Sequence, residues 1–362
     1  MSSTLDMRAI ELPSAEFDKE AQAAGLNLPI EQTEVWARYE ATVPGRRPWG
    51  AYRLERDGAA VAYIRLFDYE THGYHFLRSN HGPVWLQAPT PDDERAALEA
   101  IRAVVRERGE GQVFVRCCVD ADLDCCEPAL SIVPYDTTVV IDVTGGDDEI
   151  LARMKPRGRR DVRKALREAP ITCADETEQA AKSFSDYYGV LVETGERDGF
   201  HPAPASDYED MLRILGPEHC RLFAGRQEDG KVVTWSLVTI SGSVAMRYYA
   251  ASSTATMRKH VTDKLLYFEC CSLGKFEGGR VKSYDLMAIG SELSPTLLGL
   301  NEFKTKFCKQ VTHVAPDRDF PIRGGFYRSL KLARKVVVRA RGARRDREVE
   351  KAVASKTKPA SK

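Results

Sequence analysis

The sequence has no long apolar run and no secretion signal, and these absences exclude several classes of protein. No stretch approaches the roughly 20 uninterrupted apolar residues of a membrane-spanning helix. The N-terminus, MSSTLDMRAIELPSAEF, lacks the basic start and apolar middle of a signal peptide. Both features predict a cytoplasmic protein. Its 362 residues are more than one core usually supports, so we expect two domains.

The nine cysteines lack the C-x-x-C spacing of common zinc sites. The pairs at 117–118 and 125–126 could together hold zinc, but tetrahedral sites usually draw their ligands from knuckles with room to turn. Free cysteine is also among the most buried residue types. We therefore predict buried free thiols and no metal.

Several familiar catalytic motifs are missing from the chain. It contains no GxSxG, HExxH, GxxxxGK[ST] or GxGxxG pattern. The segment RERGEG at 106–111 has the spacing with which acetyltransferases hold coenzyme A, but it closes a predicted helix instead of opening one. Helix carbonyls, not N–H groups, would then face the phosphates. The sequence predicts no bound cofactor and an acyl donor of another kind.

An internal repeat is present. Residues 49–80 alternate apolar and polar positions with turns at Asp57-Gly58 and His72-Gly73, which predicts a three-stranded meander. Residues 219–252 repeat the pattern with turns at Asp229-Gly230 and Ser241-Gly242. A helical period and a further strand follow each meander. The duplication predicts an α+β fold of two similar units with a cleft between them, where ligands commonly bind. Two unrelated domains with similar strand order are the alternative.

The segments 136–143 and 309–315 also read as strands, one closing each half. The glycine-rich stretch near 144–148 predicts the junction. We therefore expect the boundary between the two domains near residue 147.

The charge is zero overall but unevenly distributed. From Pro321 onward the chain holds fourteen basic and three acidic residues, a net charge of +11, so residues 1–320 carry −11. Such a tail suits a polyanion, either RNA or an acidic membrane face. We predict a basic, disordered tail over 341–362 that binds either RNA or the inner face of the plasma membrane.

A second basic feature lies between the repeats, in EILARMKPRGRRDVRKALREAP. Helical spacing places Val162, Ala165, Leu166 and Ala169 on one apolar face. Basic residues form a row on another face, and Pro156 breaks the helix early in that row. The row favours a phosphate-rich ligand such as RNA, or it is a solvated surface. Its members are Arg153, Arg157, Arg160, Lys164 and Arg167.

Two further clusters carry candidate chemistry. FSDYYGVLVETGERDGFHP at 184–202 begins as a helix and ends at Pro202, which places Arg197 and Asp198 at the mouth of the second copy. A local network of arginine and carboxylates is the alternative. In LNEFKTKFCKQ, aromatic residues alternate with Lys304 and Lys306, so a lysine can enter a cleft and neutralise phosphate. The alternative is a set of solvated lysines beside a core strand.

These motifs together resemble those of the Fem peptidyltransferases. ETGERDGFHP is similar to their T-x-x-R-D-G-F element, EQTEVWARY to Q-[ST]-x-x-W-A, and LRSNHGPVWL to an R-G-P-V turn. RYYAASS resembles Y-x-Y-G-A-S, YDLMAIG resembles Y-D-[FL]-x-G-I, and EFKTKF resembles F-K-x-G-F. KPRGRRDVRKALRE is similar to the family's basic linker helix. The order and spacing of the motifs carry the resemblance through most of the chain.

The resemblance implies two tandem acetyltransferase-like (GNAT-type) domains. It also implies that the chain returns to the first copy after about residue 316, so residues 1–147 and about 317–340 form the first domain and residues 148–316 form the second. It also implies transfer of an amino acid from aminoacyl-tRNA to the side-chain amine of the stem peptide of a peptidoglycan precursor. That precursor is either UDP-MurNAc-pentapeptide or lipid II. The long helical hairpin that some members insert is missing, so the basic helix, through Arg157, Arg160, Lys164 and Arg167, or the tail is expected to bind tRNA. We expect a monomer.

The resemblance also implies roles for individual residues. Lys304, Arg197 and Tyr249 would bind the precursor's diphosphate and sugar. We add Tyr188, Lys306, Trp36 and Arg78 as candidate substrate-binding residues. Asp198 and Asp285, with Lys304, are the catalytic candidates. An acyltransferase of the same fold that acts on a polysaccharide or lipid headgroup, and a non-catalytic RNA-binding protein, are the alternatives.

Overall fold

A computed structural model describes residues 6–336, which form two β-sheets flanked by helices. The predicted tail at 341–362 lies outside the described residues. The first part of the chain contains the following elements: β1 Met7–Leu12, α1 Ser14–Ala23, α2 Glu34–Glu40, β2 Arg46–Arg56, β3 Ala59–Thr71, β4 Tyr74–Arg78, β5 Val84–Trp85, α3 Pro91–Arg108, β6 Phe114–Cys118, β7 Glu127–Pro128 and β8 Thr137–Asp142.

The second part continues without a long interruption. Its elements are α4 Asp147–Arg153, α5 Pro156–Glu168, β9 Thr172–Asp175, α6 Thr177–Lys182, α7 Ser185–Asp198, α8 Ala205–His219, β10 Cys220–Arg226, β11 Val232–Ser241, β12 Val244–Ser252, α9 Val261–Lys275, β13 Ser283–Ala288, α10 Asn301–Lys304, β14 Thr312–His313 and β15 Asp317–Pro321. Short 3₁₀ turns lie between several of them, and residues 324–336 are helical.

Each sheet contains one parallel strand pair. The first sheet has the order β1-β2-β3-β4-β6-β15-β7, with β5 paired to β3, and the second has the order β14-β8-β13-β12-β11-β10-β9. Strands β4 and β6 run parallel, as do β12 and β13, and the other pairs are antiparallel. Helix α3 connects the first parallel pair and α9 the second. The predicted repeat of meander, helix and strand is therefore present.

The turns of the repeat form where the sequence predicts them. Asp57 and Gly58 both have positive φ, as do His72 and Gly73, which is the geometry of a tight hairpin turn. Helix α3 starts with a capping box between Thr90 and Asp93. It ends at Gly109 in the left-handed conformation, so the RERGEG segment does close a helix.

The strands expected to close each half are arranged differently from the prediction. β8, expected in the first half, pairs with β13 and β14 of the second sheet. β15 returns to the first sheet, between β6 and β7. The 309–315 segment forms only the short strand β14. Strand β8 therefore belongs to the second sheet, and the chain crosses between the two sheets twice.

The two halves share part of one hydrophobic core. Trp36 and Tyr39 of α2 cluster with buried residues of α7, α8, β10 and β11. Helix α2 belongs to the first half by sequence, so this packing joins the halves. In α5 the predicted apolar face is buried at Val162 and Ala165, but Leu166 is 46 % exposed and is not part of it. Pro156 separates α5 from α4, as predicted.

Two properties of the described residues, 6–336, concern the class of protein. No helix among them is long and apolar enough to cross a membrane. No helix that lies between residues 148 and 316 exceeds fifteen residues, so no long helical arm is inserted there.

Candidate functional site

A cavity of about 250 Å³ lies between the two halves. The first half supplies most of its wall, and β12, β13 and the segment before β15 complete it. A cleft at this junction is what the duplication predicts. The lining residues are Glu31, Trp36, Tyr39, Glu40, Arg46, Tyr69, Arg78, Asn80, His81, Cys118, Tyr135, Tyr248, Tyr249, Met287, Val314, Ala315 and Asp317.

A fully buried carboxylate, Glu40, organises one side of the cavity. The Trp36 indole N–H donates to Glu40 Oε1 at 3.1 Å, and the Tyr69 hydroxyl donates to the same oxygen at 3.1 Å. Arg46 Nη1 lies 3.3 Å from Glu40 Oε2. Four groups from α2, β2 and β3 thus form one network. Trp36, a predicted substrate-binding residue, lines the cavity but is only 2 % exposed.

A second buried carboxylate, Glu31, faces His81 across the cavity floor. His81 Nδ1 lies 3.2 Å from Glu31 Oε2, and its Nε2 lies 3.0 Å from the Tyr135 hydroxyl. Burial lowers the pKa of His81, but Glu31, together with the charges of Asp317 and Asp285, outweighs this effect and raises that pKa to about 9. Burial likewise opposes ionisation of Glu31, yet His81 holds the pKa of Glu31 below its usual value. The two residues form an ion pair.

Arg78, a predicted substrate-binding residue, also lines the cavity. Its Nη2 lies 3.4 Å from Asp317 Oδ2. Its buried Nε has no hydrogen-bond partner within the described part of the chain. An unsatisfied buried donor is costly, so this N–H group is suited to donate a hydrogen bond to a ligand oxygen. Arg78 is thus the predicted cation that the structure places in the cavity wall.

The second half contributes two tyrosines from β12. Tyr249 lines the cavity and is 37 % exposed, and its ring packs edge-on against Tyr208. Tyr248 packs against both Trp36 and Tyr249. Tyr249 was predicted as a binding residue, whereas Tyr248 was not. Tyr188, another candidate, packs on the shared core from α7 and does not line the cavity.

Arg197 and Asp198 lie at the end of α7, outside the cavity wall. Arg197 Nε and Nη2 donate to the two oxygens of Asp198 at 2.9 and 3.1 Å, and Nη1 donates to the Ser252 carbonyl at 2.8 Å. This is the local arginine–carboxylate network that the sequence left open as an alternative. It fixes the end of α7 to the end of β12, three residues beyond Tyr249.

Lys304 and Asp285 lie behind the cavity wall. Lys304 Nζ donates to the carbonyls of Leu286, Met287 and Ala288 at 2.7, 3.2 and 2.8 Å. Met287 lines the cavity in a left-handed conformation, so Lys304 stabilises a strained turn of the wall. An ammonium has three N–H donors, and all three are used here. Burial, with Arg247, lowers the pKa of Lys304 to about 8.

Asp285 is nearly buried at the same turn. It accepts from the Met287 backbone N–H at 2.7 Å and from the Thr138 hydroxyl. Burial raises its pKa above the usual value, while His81 and Lys304 act in the opposite direction. Its charge acts on the cavity side, where it raises the pKa of both His81 and Tyr135.

Lys306 is placed differently from the prediction. Its ammonium is only 9 % exposed and pairs with Asp161 and Asp263. It also lies over the rings of Phe303 and Phe307, at 5.0 and 5.2 Å from their centroids. Lys306 therefore joins α5 to α9 and does not line the cavity. A buried lysine needs such partners, which explains why this position is not free to meet a substrate.

The basic row on α5 is exposed and loosely paired. Arg160 is 74 % exposed with Asp161 at 3.5 Å, and Lys164 and Arg167 both lie 3.9 Å from Glu168. Only Arg157 has a close partner, Glu302 at 2.6 Å. Arg153 belongs to α4 and binds the carbonyl of Thr144. Exposed pairs at such distances contribute little, so these cations can exchange their partners for phosphates.

Sequence reasoning missed much of the cavity: Glu31, Glu40, His81, Tyr135 and Tyr248. Three of them stand in the quoted motifs, since Glu31 begins EQTEVWARY, Tyr248 lies in RYYAASS, and His81 lies in LRSNHGPVWL, where extra residues separate the arginine from the Gly-Pro pair. The expansion itself was the available signal, because it inserts a titratable side chain into a turn. Among residues 6–336 no group of three or more His, Cys, Asp or Glu side chains could hold a metal ion.

Comparisons with known proteins address the fold. No model of a known protein family matches the chain, and no curated protein matches its sequence. Among solved structures, FemX is similar with a TM-score of 0.67 and 17 % identity, covering 89 % of this chain and 99 % of that chain.

Two further solved structures have a weaker likeness. A tandem GNAT protein from the clavulanic acid biosynthesis pathway has a TM-score of 0.53 and 11 % identity, covering 87 % of this chain and 98 % of that chain. A conserved protein of unknown function from Bacteroides thetaiotaomicron has a TM-score of 0.51 and 11 % identity, covering 86 % and 99 %. The fold predicted from the repeat and from the motif resemblance is confirmed. The chain therefore shares the tandem fold of FemX and of this GNAT protein.

Proposed function

We propose that this protein transfers an amino acid from aminoacyl-tRNA to the side-chain amine of the stem peptide of a peptidoglycan precursor. The observation that carries the proposal is the cavity at the junction of the two units, in a chain that shares FemX's fold along 89 % of its length. The cavity is lined by paired acids and bases rather than by apolar residues alone. This lining suits a polar acceptor with both anionic groups and an amine.

The N-terminus of α3 favours a donor other than coenzyme A. Acetyltransferases of related architecture place the diphosphate of coenzyme A at the start of the helix that follows the meander, where N–H groups favour anions. Here α3 starts with three carboxylates, Asp92, Asp93 and Glu94. A diphosphate at the start of α3 would therefore meet negative charge.

The acceptor amine must lose its proton before it attacks. A lysine-like amine has a pKa near 10.4, so presenting it neutral in the cytoplasm costs roughly 4 to 5 kcal/mol. A confined cavity offsets part of this cost through positioning and desolvation. Asp285 is the better placed of the two predicted carboxylates, because Asp198 is held by Arg197 at an exposed helix end. The leaving tRNA oxygen can take up the proton at the end of the reaction.

Arg78 is the cation best placed to bind the precursor's phosphate. Its free Nε sits in the wall, and its guanidinium is held by Asp317 on β15. Lys304, with all three donors on backbone carbonyls, contributes through its charge and through the shape of the Met287 turn. The row Arg160, Lys164 and Arg167 on α5 supplies the surface for tRNA.

The test is to incubate the full chain with a mixture of charged tRNAs and both UDP-MurNAc-pentapeptide and lipid II, and then to measure the mass of the stem peptide. We expect an increase by one aminoacyl residue on one of the two precursors. A matched precursor whose third residue lacks a side-chain amine should gain no mass. The proposal fails if no precursor gains mass, or if the amine-free precursor gains as much.

A further inference from the structure

Glu31, His81 and Tyr135 form a continuous chain along the cavity wall. His81 bridges the other two, with Nδ1 3.2 Å from the Glu31 carboxylate and Nε2 3.0 Å from the Tyr135 hydroxyl. All three residues line the cavity, and the Glu31 side chain is fully buried. None of them was singled out by the sequence motifs as a site residue.

Local structure holds this chain in place. Gln32, next to Glu31, donates from Nε2 to the Ser79 hydroxyl at 2.9 Å and to the Asn80 carbonyl at 2.7 Å. A Cβ on Gly82 would lie 2.3 Å from Ser79 Oγ, so this turn tolerates only glycine. His81 itself has a φ of 53°, which few residues of its type adopt. The turn thus fixes His81 against Glu31 before any ligand arrives.

The protonation states follow from the groups that face His81. The buried Glu31 carboxylate, with Asp317 from β15 and Asp285 from β13 at longer range, outweighs the loss of solvation and raises the pKa of His81 to about 9. Arg78 and Tyr248 face the same space, and Arg78 is itself paired with Asp317. At neutral pH the ring is therefore an imidazolium, with Nδ1 3.2 Å from the Glu31 carboxylate and the Nε2–H group directed to the Tyr135 hydroxyl.

The protonation of His81 determines which hydrogen bonds the Tyr135 hydroxyl can make. Its oxygen accepts from His81, and its own hydrogen has no acceptor among residues 6–336. Burial raises its pKa above the ordinary value, so the hydroxyl keeps its proton. A neutral phenol that accepts from a cation is polarised toward donation. The O–H group is therefore available to a ligand in the cavity.

We propose that Tyr135 is a catalytic residue that donates this hydrogen bond to the carbonyl oxygen of the aminoacyl ester, and that His81 and Glu31 are positioning residues. The inference rests on the function proposed above. As the amine nitrogen bonds to the carbonyl carbon, negative charge develops on the carbonyl oxygen, where Tyr135 stabilises it. The ester C–O bond then breaks, the tRNA oxygen leaves with the proton lost by the amine, and Tyr135 keeps its own proton.

The first test compares Tyr135→Phe with Tyr74→Phe, a matched loss of a hydroxyl away from the cavity. Removal of one such donor typically lowers kcat by about 10²- to 10³-fold. We expect that loss in Tyr135→Phe with the KM for the precursor nearly unchanged, and wild-type kcat in Tyr74→Phe. A Tyr135→Phe variant that folds and keeps kcat within about twofold of wild type would overturn the catalytic role.

The second test examines the positioning role through the pH dependence of kcat. In Glu31→Gln burial is no longer opposed by Glu31, so the His81 pKa should fall below its ordinary value. Wild-type kcat should then decrease as pH rises through about 9, whereas the variant should be about tenfold below wild type at pH 8 and show no decrease there. A variant that has a lower kcat but keeps the wild-type decrease near pH 9 would overturn the relay.

The third test does not depend on activity. With ¹⁵N-labelled histidine, NMR of the full chain should show His81 protonated on both nitrogens at pH 7.5 and titrating near pH 9. The signal is assigned by its loss in His81→Gln. Titration at or below about 6.5 would overturn the relay, even if transfer occurs. A wild-type chain that forms no product would instead end the proposed function, and the NMR result would still decide whether the ion pair exists.

Discussion

The two halves contribute differently to the cavity. The first half and the returning strand supply every charged side chain in its wall, whereas the second half supplies two tyrosines, a methionine, a valine and an alanine. The charged second-half residues in the motifs stabilise the structure around the cavity. Arg197 donates to the Ser252 carbonyl, Lys304 donates to carbonyls of the 286–288 turn, and Lys306 pairs with one aspartate of α5 and one of α9. In this duplicated scaffold one copy provides charge and the other provides shape. The strongest tests of this division exchange or remove one group from each side.

The largest expected effect on stability comes from Glu40 in the first half. Glu40→Ala removes the acceptor of Trp36, Tyr69 and Arg46. Loss of one partner in a buried charged network leaves the others unpaired, so we expect the free energy of unfolding to fall by about 2 to 4 kcal/mol. Urea denaturation measures it. Glu70→Ala, an exposed carboxylate on β3, should change stability by less than about 0.5 kcal/mol. Equal losses in both variants would contradict the network.

The ion pair of Glu31 and His81 predicts a pH dependence. The pKa of His81 rises from its ordinary value of 6.5 to about 9 on folding, so its stabilisation is complete below pH 6.5 and is lost as pH rises through 9. Between pH 6 and 10 the difference in unfolding free energy between wild type and His81→Gln should shrink by about 2 to 3 kcal/mol.

The prediction compares two proteins because the contribution of Lys304 to stability changes with pH in the opposite direction to that of His81. Its pKa falls from 10.5 to about 8 on folding, so its contribution to stability rises between those pH values in both proteins. It cancels in the comparison. His201→Gln, an exposed histidine, should give a curve parallel to wild type. A constant offset between wild type and His81→Gln across the range would show that no such ion pair forms.

In the second half, Lys304→Met separates the two roles given to that lysine. If it holds the wall, the variant loses three hydrogen bonds to carbonyls, stability falls by about 1 to 3 kcal/mol, and kcat falls with the displaced Met287 turn. If it binds phosphate directly, the KM for the precursor rises at unchanged stability. Arg78→Met is the matched first-half variant, for which we expect the second pattern. Reversal of the two patterns would contradict the division between the halves.

The sequence predicted the scaffold better than the site. The Asp-Gly turns and alternating strands are local signals, so both meanders and both following helices could be read from single segments. The pairing of β8 with the second sheet could not, because its partners lie far along the chain, as Thr138 and Asp285 do at a separation of 147 residues.

The charged residues that line the cavity could not be predicted from the sequence, for a related reason. Glu40 is buried only because Trp36, Arg46 and Tyr69 converge on it from three elements, and nothing in its neighbouring residues indicates this. Conversely, Lys304 and Lys306 look alike in EFKTKF, yet one meets backbone carbonyls and the other meets two carboxylates. A motif identifies residue types, while their partners depend on tertiary packing.

The smallest expected effect on stability is at the exposed surface of α5, which we propose as the surface that binds tRNA. Arg160→Ala combined with Lys164→Ala removes two exposed cations whose acidic partners lie 3.5 and 3.9 Å away, so unfolding free energy should change by less than about 0.5 kcal/mol. If both cations meet phosphates, the slope of log affinity for tRNA against log salt should fall by roughly 1.5 to 2. Arg213→Ala, an exposed arginine on α8, should leave the slope unchanged. An unchanged slope in the double variant would place the tRNA on another surface and leave the row as solvated charge.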